Sequence, residues 1–160
     1  MFHTIAVFLN ILVLPILSII FNLIINYRKN IVENIYEIIG KWFIFWALGI
    51  RLVIAGLMQL FNPIYTNNLL QLNLNDFIII QELGLANFSI GLLCIISFFK
   101  KLLQKYVCLY MFIFFIGAST LHIIRIKNIN FDELITLVTN IILIVVALYG
   151  IINSVKIKNQ

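Results

Sequence analysis

The sequence predicts an all-α integral membrane bundle of about five transmembrane helices, a four-helix core plus one, with the N-terminus out and the C-terminus in. Three observations predict it. Of 160 residues, 63% are apolar and 11% charged, with a mean hydropathy of +1.11. Globular chains run at about 45–50% and about 25%, and a chain this short has too little interior to hide the excess. The apolar residues gather in five runs, 4–26, 42–61, 77–99, 106–125 and 133–154, each near the roughly 20 residues that a spanning helix needs. Within the runs the pattern does not alternate, as Ile141-Ile142-Leu143-Ile144-Val145-Val146-Ala147-Leu148 shows, whereas a membrane barrel strand would alternate.

Run one is read as a retained helix and not a cleaved signal peptide. Met1-Phe2-His3-Thr4 carries no Lys or Arg and no small-x-small cleavage site follows. Pro15 inside it removes one backbone hydrogen bond and predicts a kink. Asn10, Leu14, Ser18, Asn22 and Asn26 recur at four-residue steps, a stripe expected to bond to a neighbouring helix. Residues 30–41 set Ile31, Ile35, Ile38 and Ile39 on one face with Glu33, Glu37 and Lys41 elsewhere, which reads as an interfacial helix or as an extension of run two. Trp42 and Trp46 mark the interfacial level. The connection 62–76 has no cation and many amides, and is expected to cap one end of the bundle. Asp76 is the expected N-cap of run three and Asn130 or Asp132 of run five, with Asp132 and Glu133 favourable in the first turn. The two prolines, Pro15 and Pro63, mark no linker, so residues 1–160 read as a single transmembrane domain.

Charge sets orientation and partners. On the five-run topology Arg28, Lys29, Lys41, Lys100, Lys101, Lys105, Lys156 and Lys158 fall on one side, against Arg125 and Lys127 on the other. That bias places the first group in the cytoplasm and predicts a multi-pass protein of the cell membrane, read as a bacterial inner membrane. The net charge of +5 follows from it. Cations scattered in short loops make no stripe for nucleic acid, so the expected partner is the lipid bilayer and its anionic head groups. A homo-oligomer, or a place in a larger membrane complex, is left open. Cys94 and Cys108 are not spaced as C-x-x-C and read as small buried hydrophobes.

The polar interior is the candidate site: Arg51, Gln59, Glu82, Asn87 and His122. Arg51 lies near the middle of run two, with Ala47, Ala55, Gln59 and Asn62 on its face. Run three holds Glu82 and Asn87, and Gly84, Asn87, Gly91 and Cys94 share a face that allows close helix approach. His122 falls near the predicted depth of Glu82. An unpaired charge in hydrocarbon costs about 2.5–3.5 kcal/mol on the lenient insertion scale, so Arg51 is expected to reach outward to Glu82, with His122 sharing the carboxylate. The first reading is a buried pair that fixes helix register in a structural or accessory membrane subunit. The alternative is a polar pocket, open to the outer side, of a small-solute or proton-coupled transporter or binding protein. A third arrangement lets each group reach water separately. Thr136 and Asn140 in run five read as helix-to-helix bonding groups. His3 and His122 as haem ligands are weakly supported without an attachment motif. No metal cluster, nucleotide loop or positioned nucleophile is present in the sequence, so no enzyme activity, cofactor or metal is predicted.

Two segments carry a resemblance. Gln81-Glu82-Leu83-Gly84-Leu85-Ala86-Asn87-Phe88-Ser89-Ile90-Gly91 resembles an acidic-x-Gly-x-Ala-Asn-x-x-x-Gly run, and Ile116-Gly117-Ala118-Ser119-Thr120-Leu121-His122, followed by Asn130-Phe131, resembles a Gly-Ala-x-x-x-His segment. With Pro63 after run two, they resemble a family of small bacterial and archaeal integral membrane proteins of unknown function, similar in arrangement to DoxX-like proteins. The likeness covers residues 42–154; the Gly-rich stretch expected around 130–132 is absent. It implies Glu82, Asn87 and His122 as the matched polar positions. Through the DoxX-like relatives it also implies an accessory role in a quinone-linked membrane redox complex as a further alternative.

Overall fold

A computed structural model describes residues 9–69, 77–124 and 131–156, and every regular element among them is helical. Helix α1 is Leu9–Arg28, α2 Ile35–Phe61, α3 the short Pro63–Leu69, α4 Ile78–Phe99, α5 Lys101–Ile124 and α6 Phe131–Lys156. All but α3 are long and apolar enough to cross a membrane, and they follow the five apolar runs. Helix α2, at 27 residues, is about 40 Å long at 1.5 Å per residue. Residues 35–41 therefore extend run two and form no separate interfacial helix.

The order of packing follows from where small residues sit. Helix α2 is central: it packs on α4 most extensively and also meets α1 and α6, while α5 pairs with α6. Helix α1 buries 11% of its apolar span against 28–33% for the other four, so it is the helix added to the core. The core joins Ile44, Ala47, Leu48 and Leu52 of α2 to Cys94 of α4, Cys108, Met111 and Phe115 of α5 and Leu143 and Ala147 of α6. Both cysteines are fully buried and unbonded to each other, with Cys108 against Gly150.

The tightest contact is the antiparallel α2–α4 seam. Gly49 and Gly56 on α2 face Gly91 and Gly84 on α4, each pair seven residues apart. A Cβ on Gly56 would lie 2.5 Å from the Phe88 nitrogen and 2.6 Å from the Gly84 oxygen, and one on Gly91 would lie 2.7 Å from the Val53 nitrogen. Only glycine lets two helix backbones approach so closely, and that contact holds helices together in lipid, which offers no hydrophobic drive between them.

Two wide π-helical stretches lie against each other, Leu9–Val13 at the start of α1 and Ile44–Ile50 within α2. The first runs directly into Pro15, whose missing N–H no α-helical bond can use. The second ends at Arg51. Helix α1 closes in a Schellman motif: Asn30 takes φ 51°, Ile31 N donates to Asn26 O at 2.9 Å, and Asn30 N to Tyr27 O at 3.3 Å. Asn34 then caps α2, its Oδ1 accepting from Tyr36 N at 3.0 Å. At the same end Glu33 accepts from Lys41 Nζ at 2.7 Å and from Asn26 Nδ2 at 2.9 Å. Trp46 Nε1 donates to Ser18 Oγ at 2.9 Å, so part of the α1 stripe does bond to its neighbour. Trp42 packs against Phe98, ring centroids 4.8 Å apart and the planes tilted by 59°.

The expected caps Asp76 and Asn130 lie outside the described residues. Helix α4 opens at Ile78, with Phe77 at the N-cap position.

Gly56→Ala is expected to destabilise the detergent-solubilised protein by about 1–3 kcal/mol, the usual cost of overpacking. Gly117→Ala, where an added Cβ meets nothing within 4 Å, is expected to be neutral or slightly stabilising. Thermal unfolding followed by far-UV circular dichroism checks both; equal effects would rule out the seam as a special contact.

Candidate functional site

Alongside the seam and toward the α3 end, the helices part around a cavity of about 320 Å³. Every helix contributes to it. Its polar lining is Asn10 of α1, Arg51 and Gln59 of α2, Tyr65 and Thr66 of α3, Asn87 of α4, His122 of α5, and Thr136 and Asn140 of α6; its apolar lining is Leu52, Ile54, Ala55, Met58, Leu83, Phe114, Phe115 and Ala118. The volume is at the lower end of the roughly 300–1,000 Å³ of small-molecule sites, and an apolar wall with a few convergent polar groups is their usual make-up.

Helical spacing explains who reaches the cavity. Arg51, Ala55 and Gln59 succeed one another at four residues on one face of α2, and Thr136 and Asn140 do so on α6. Arg51 begins the regular α-helical part of α2, ten residues before its end at Phe61, and so lies about 15 Å below that end. Its one side-chain hydrogen bond among the described residues runs from Nη2 to Thr139 Oγ1, at 3.5 Å. The Thr139 hydroxyl in turn donates to Thr136 O at 2.8 Å. Asn87 Nδ2 donates to Gln59 Oε1 at 2.8 Å across the seam. Asn140 is only 3% exposed.

Four of the five candidate residues, Arg51, Gln59, Asn87 and His122, thus line one cavity, and Glu82 does not. The expected Arg51–Glu82 pair is not formed among the described residues. Glu82 is exposed and makes no ion pair among the described residues. The reason is angular. Glu82 precedes the seam glycine Gly84 by two residues and Arg51 follows Gly49 by two, so at about 100° per residue each points away from the α2–α4 contact. Glu82 is also only four residues from the start of α4, within reach of the interface. The haem pairing has no geometry to weigh, because His3 lies outside the described residues. Among those residues no group of three or more His, Cys, Asp or Glu gathers as a metal site.

Thr139, Tyr65 and Thr66 escaped the reading of the sequence. Thr139 had a signal, standing between two residues already on a polar face. Tyr65 and Thr66 belong to the connection expected to cap one end of the bundle, but which of its side chains reach the cavity depends on tertiary packing that the sequence does not show.

A family model matches residues 5–159. The chain belongs to a family of unknown function, DUF6790. No curated protein and no solved structure matches it. Membership spans nearly the whole chain, every described helix and the cavity they enclose included.

Glu82→Gln is expected to change stability by less than about 0.5 kcal/mol, as at other surface positions without special partners. A double-mutant cycle on Asn87→Ala and Gln59→Ala is expected to give a coupling of about 0.6 kcal/mol, at most about 1.7. Chemical denaturation in mixed micelles measures both, and a large loss on Glu82→Gln would restore the carboxylate to the bundle's interior.

Proposed function

We propose that this member of the family is a multi-pass cell-membrane protein that binds a small solute in the cavity beneath α3, as a transporter or solute-binding protein. The carrying observation is the placement of Arg51, whose guanidinium lines a cavity of about 320 Å³ with a hydroxyl and no carboxylate as its partner. A register-locking structural subunit drew its support from an Arg51–Glu82 pair that is not formed. Its energetic basis is weakened with it, because a cation at that depth is costly unless it faces a partner or a polar cavity. An accessory role in a redox complex rests on the DoxX-like resemblance alone.

The orientation proposed is N-terminus out and C-terminus in, supported by the loop cations. The cavity then opens to the outer side, and the Glu33–Lys41 pair and the Trp42 and Trp46 cluster mark the cytoplasmic side. In a bacterial inner membrane the solute would come from outside the cell.

The test is an accessibility profile with single cysteines at Gln59, Asn87 and His122, in a Cys94→Ala, Cys108→Ala background. A membrane-impermeant thiol reagent added to intact cells is expected to label position 122 fastest and 87 slowest, with Glu82→Cys labelled independently of the cavity. Complete protection at all three cavity positions from both sides of the membrane would mean a closed structural interior and would remove the solute reading. A reporter fused after Gln160 is expected to be active only in its cytoplasmic form.

A further inference from the structure

We infer that the cavity takes a small organic monocarboxylate, with Arg51 binding its charge and Asn140 its remaining polar edge; the inference rests on the solute-binding reading above. The charge of the lining argues for an anion. Among the described residues lining the cavity, Arg51 is the one permanent charge, and no Asp or Glu is among them. In a medium of low dielectric an unopposed cation selects strongly by sign.

Chemistry narrows the anion. A guanidinium has five N–H donors in a planar fork that matches a carboxylate, and Arg51 spends one of them, on a long 3.5 Å bond to Thr139. Asn140 supplies an independent observation. It is 3% exposed, lines the cavity, and its amide makes no hydrogen bond within the described residues. A buried amide in that state is costly unless a ligand or solvent completes it. One cation and one free amide, set in a wall that includes Phe114 and Phe115, suit a single carboxylate carried on a compact apolar body. A second carboxylate would meet no second permanent cation.

The experiment compares benzoate with benzamide, nearly identical in shape and different in charge, on the full chain in detergent, by thermal unfolding and calorimetric titration. Benzoate is expected to raise Tm saturably and to bind at least about tenfold more tightly than benzamide, the factor corresponding to a hydrogen bond to a charged group. Arg51→Gln, confirmed as folded by circular dichroism and size exclusion, is expected to lose that preference, and Arg51→Lys to keep part of it. Should Arg51→Gln fail to fold, Asn140→Leu provides the second reading, with benzoate affinity expected to fall about tenfold.

Equal binding of both probes, abolished by filling the cavity with Ala118→Leu, would overturn the anion inference and leave the solute site standing. Benzoate binding unchanged in both Arg51→Gln and Ala118→Leu would overturn the inference, placing the anion elsewhere. No binding of either probe, with all three cavity positions protected from thiol reagent, would overturn both readings; no binding with those positions labelled would overturn the inference alone. Stabilisation by phosphatidylglycerol but not by benzoate, lost in Arg51→Gln, would overturn it in favour of a lipid head group.

Discussion

Backbone contact between α2 and α4 is the constraint on which the remaining geometry depends. In lipid the side chains of two helices gain little by leaving their surroundings, so association relies on close packing and on polar bonds between helices. Gly49 and Gly56 against Gly91 and Gly84 provide the first, and Asn87 to Gln59 the second. Because an antiparallel pair with two glycine contacts seven residues apart admits one register, it also fixes which faces of the two helices look elsewhere. Arg51 is turned toward α6, and Glu82 toward the outside.

The same constraint decides how much of the molecule could be read from its sequence. The five spans were legible because composition alone sets them; a run such as 133–154 has no soluble alternative. The buried face of α4 was legible too, since Gly84, Asn87, Gly91 and Cys94 recur at helical spacing and all four are buried. Depth could be estimated along each helix, and it brought Arg51, Asn87 and His122 toward one region. Azimuth was the missing coordinate. Glu82 and Arg51 were placed by level and not by angle, although the two-residue offset of each from a seam glycine was already in the sequence. The half of the seam on α2 was hidden for another reason: the polar stripe of Arg51, Ala55 and Gln59 competes with Gly49 and Gly56 for attention on the same helix, and nothing local says which face meets α4.

The two ends of the bundle are built differently. At the Glu33 end many polar groups satisfy one another, Glu33 with Lys41 and Asn26, Ser18 with Trp46, and the α1 carbonyls with the Schellman turn, while Trp42 Nε1 is buried without a partner. Aromatic rings of Trp42, Phe45 and Phe98 fill the space between α2 and α4 there. At the α3 end the polar groups face a cavity instead, where half-buried Arg51 makes one long hydrogen bond, to Thr139, and buried Asn140 makes none within the described residues. A protein that needed only a stable bundle could close that end as it closed the other.

What keeps the cavity from closing is the shape of α2. Its π-helical stretch Ile44–Ile50 ends at Arg51, and such stretches, which widen the helix by one residue per turn and interrupt its regular face, persist where a side chain must be aimed. Below the stretch, Ile44, Ala47 and Leu48 are fully buried in the core shared with α5 and α6. Above it, the regular helix presents Arg51, Ala55 and Gln59 to the cavity while Gly56 stays locked against Gly84. One helix therefore serves as core, seam and wall on different faces, and its wall face begins at Arg51, where the π-helical stretch ends. That coincidence ties the guanidinium's position to the backbone and not to an ion-pair partner, which is why Arg51 can stand at a cavity with its fork largely unused.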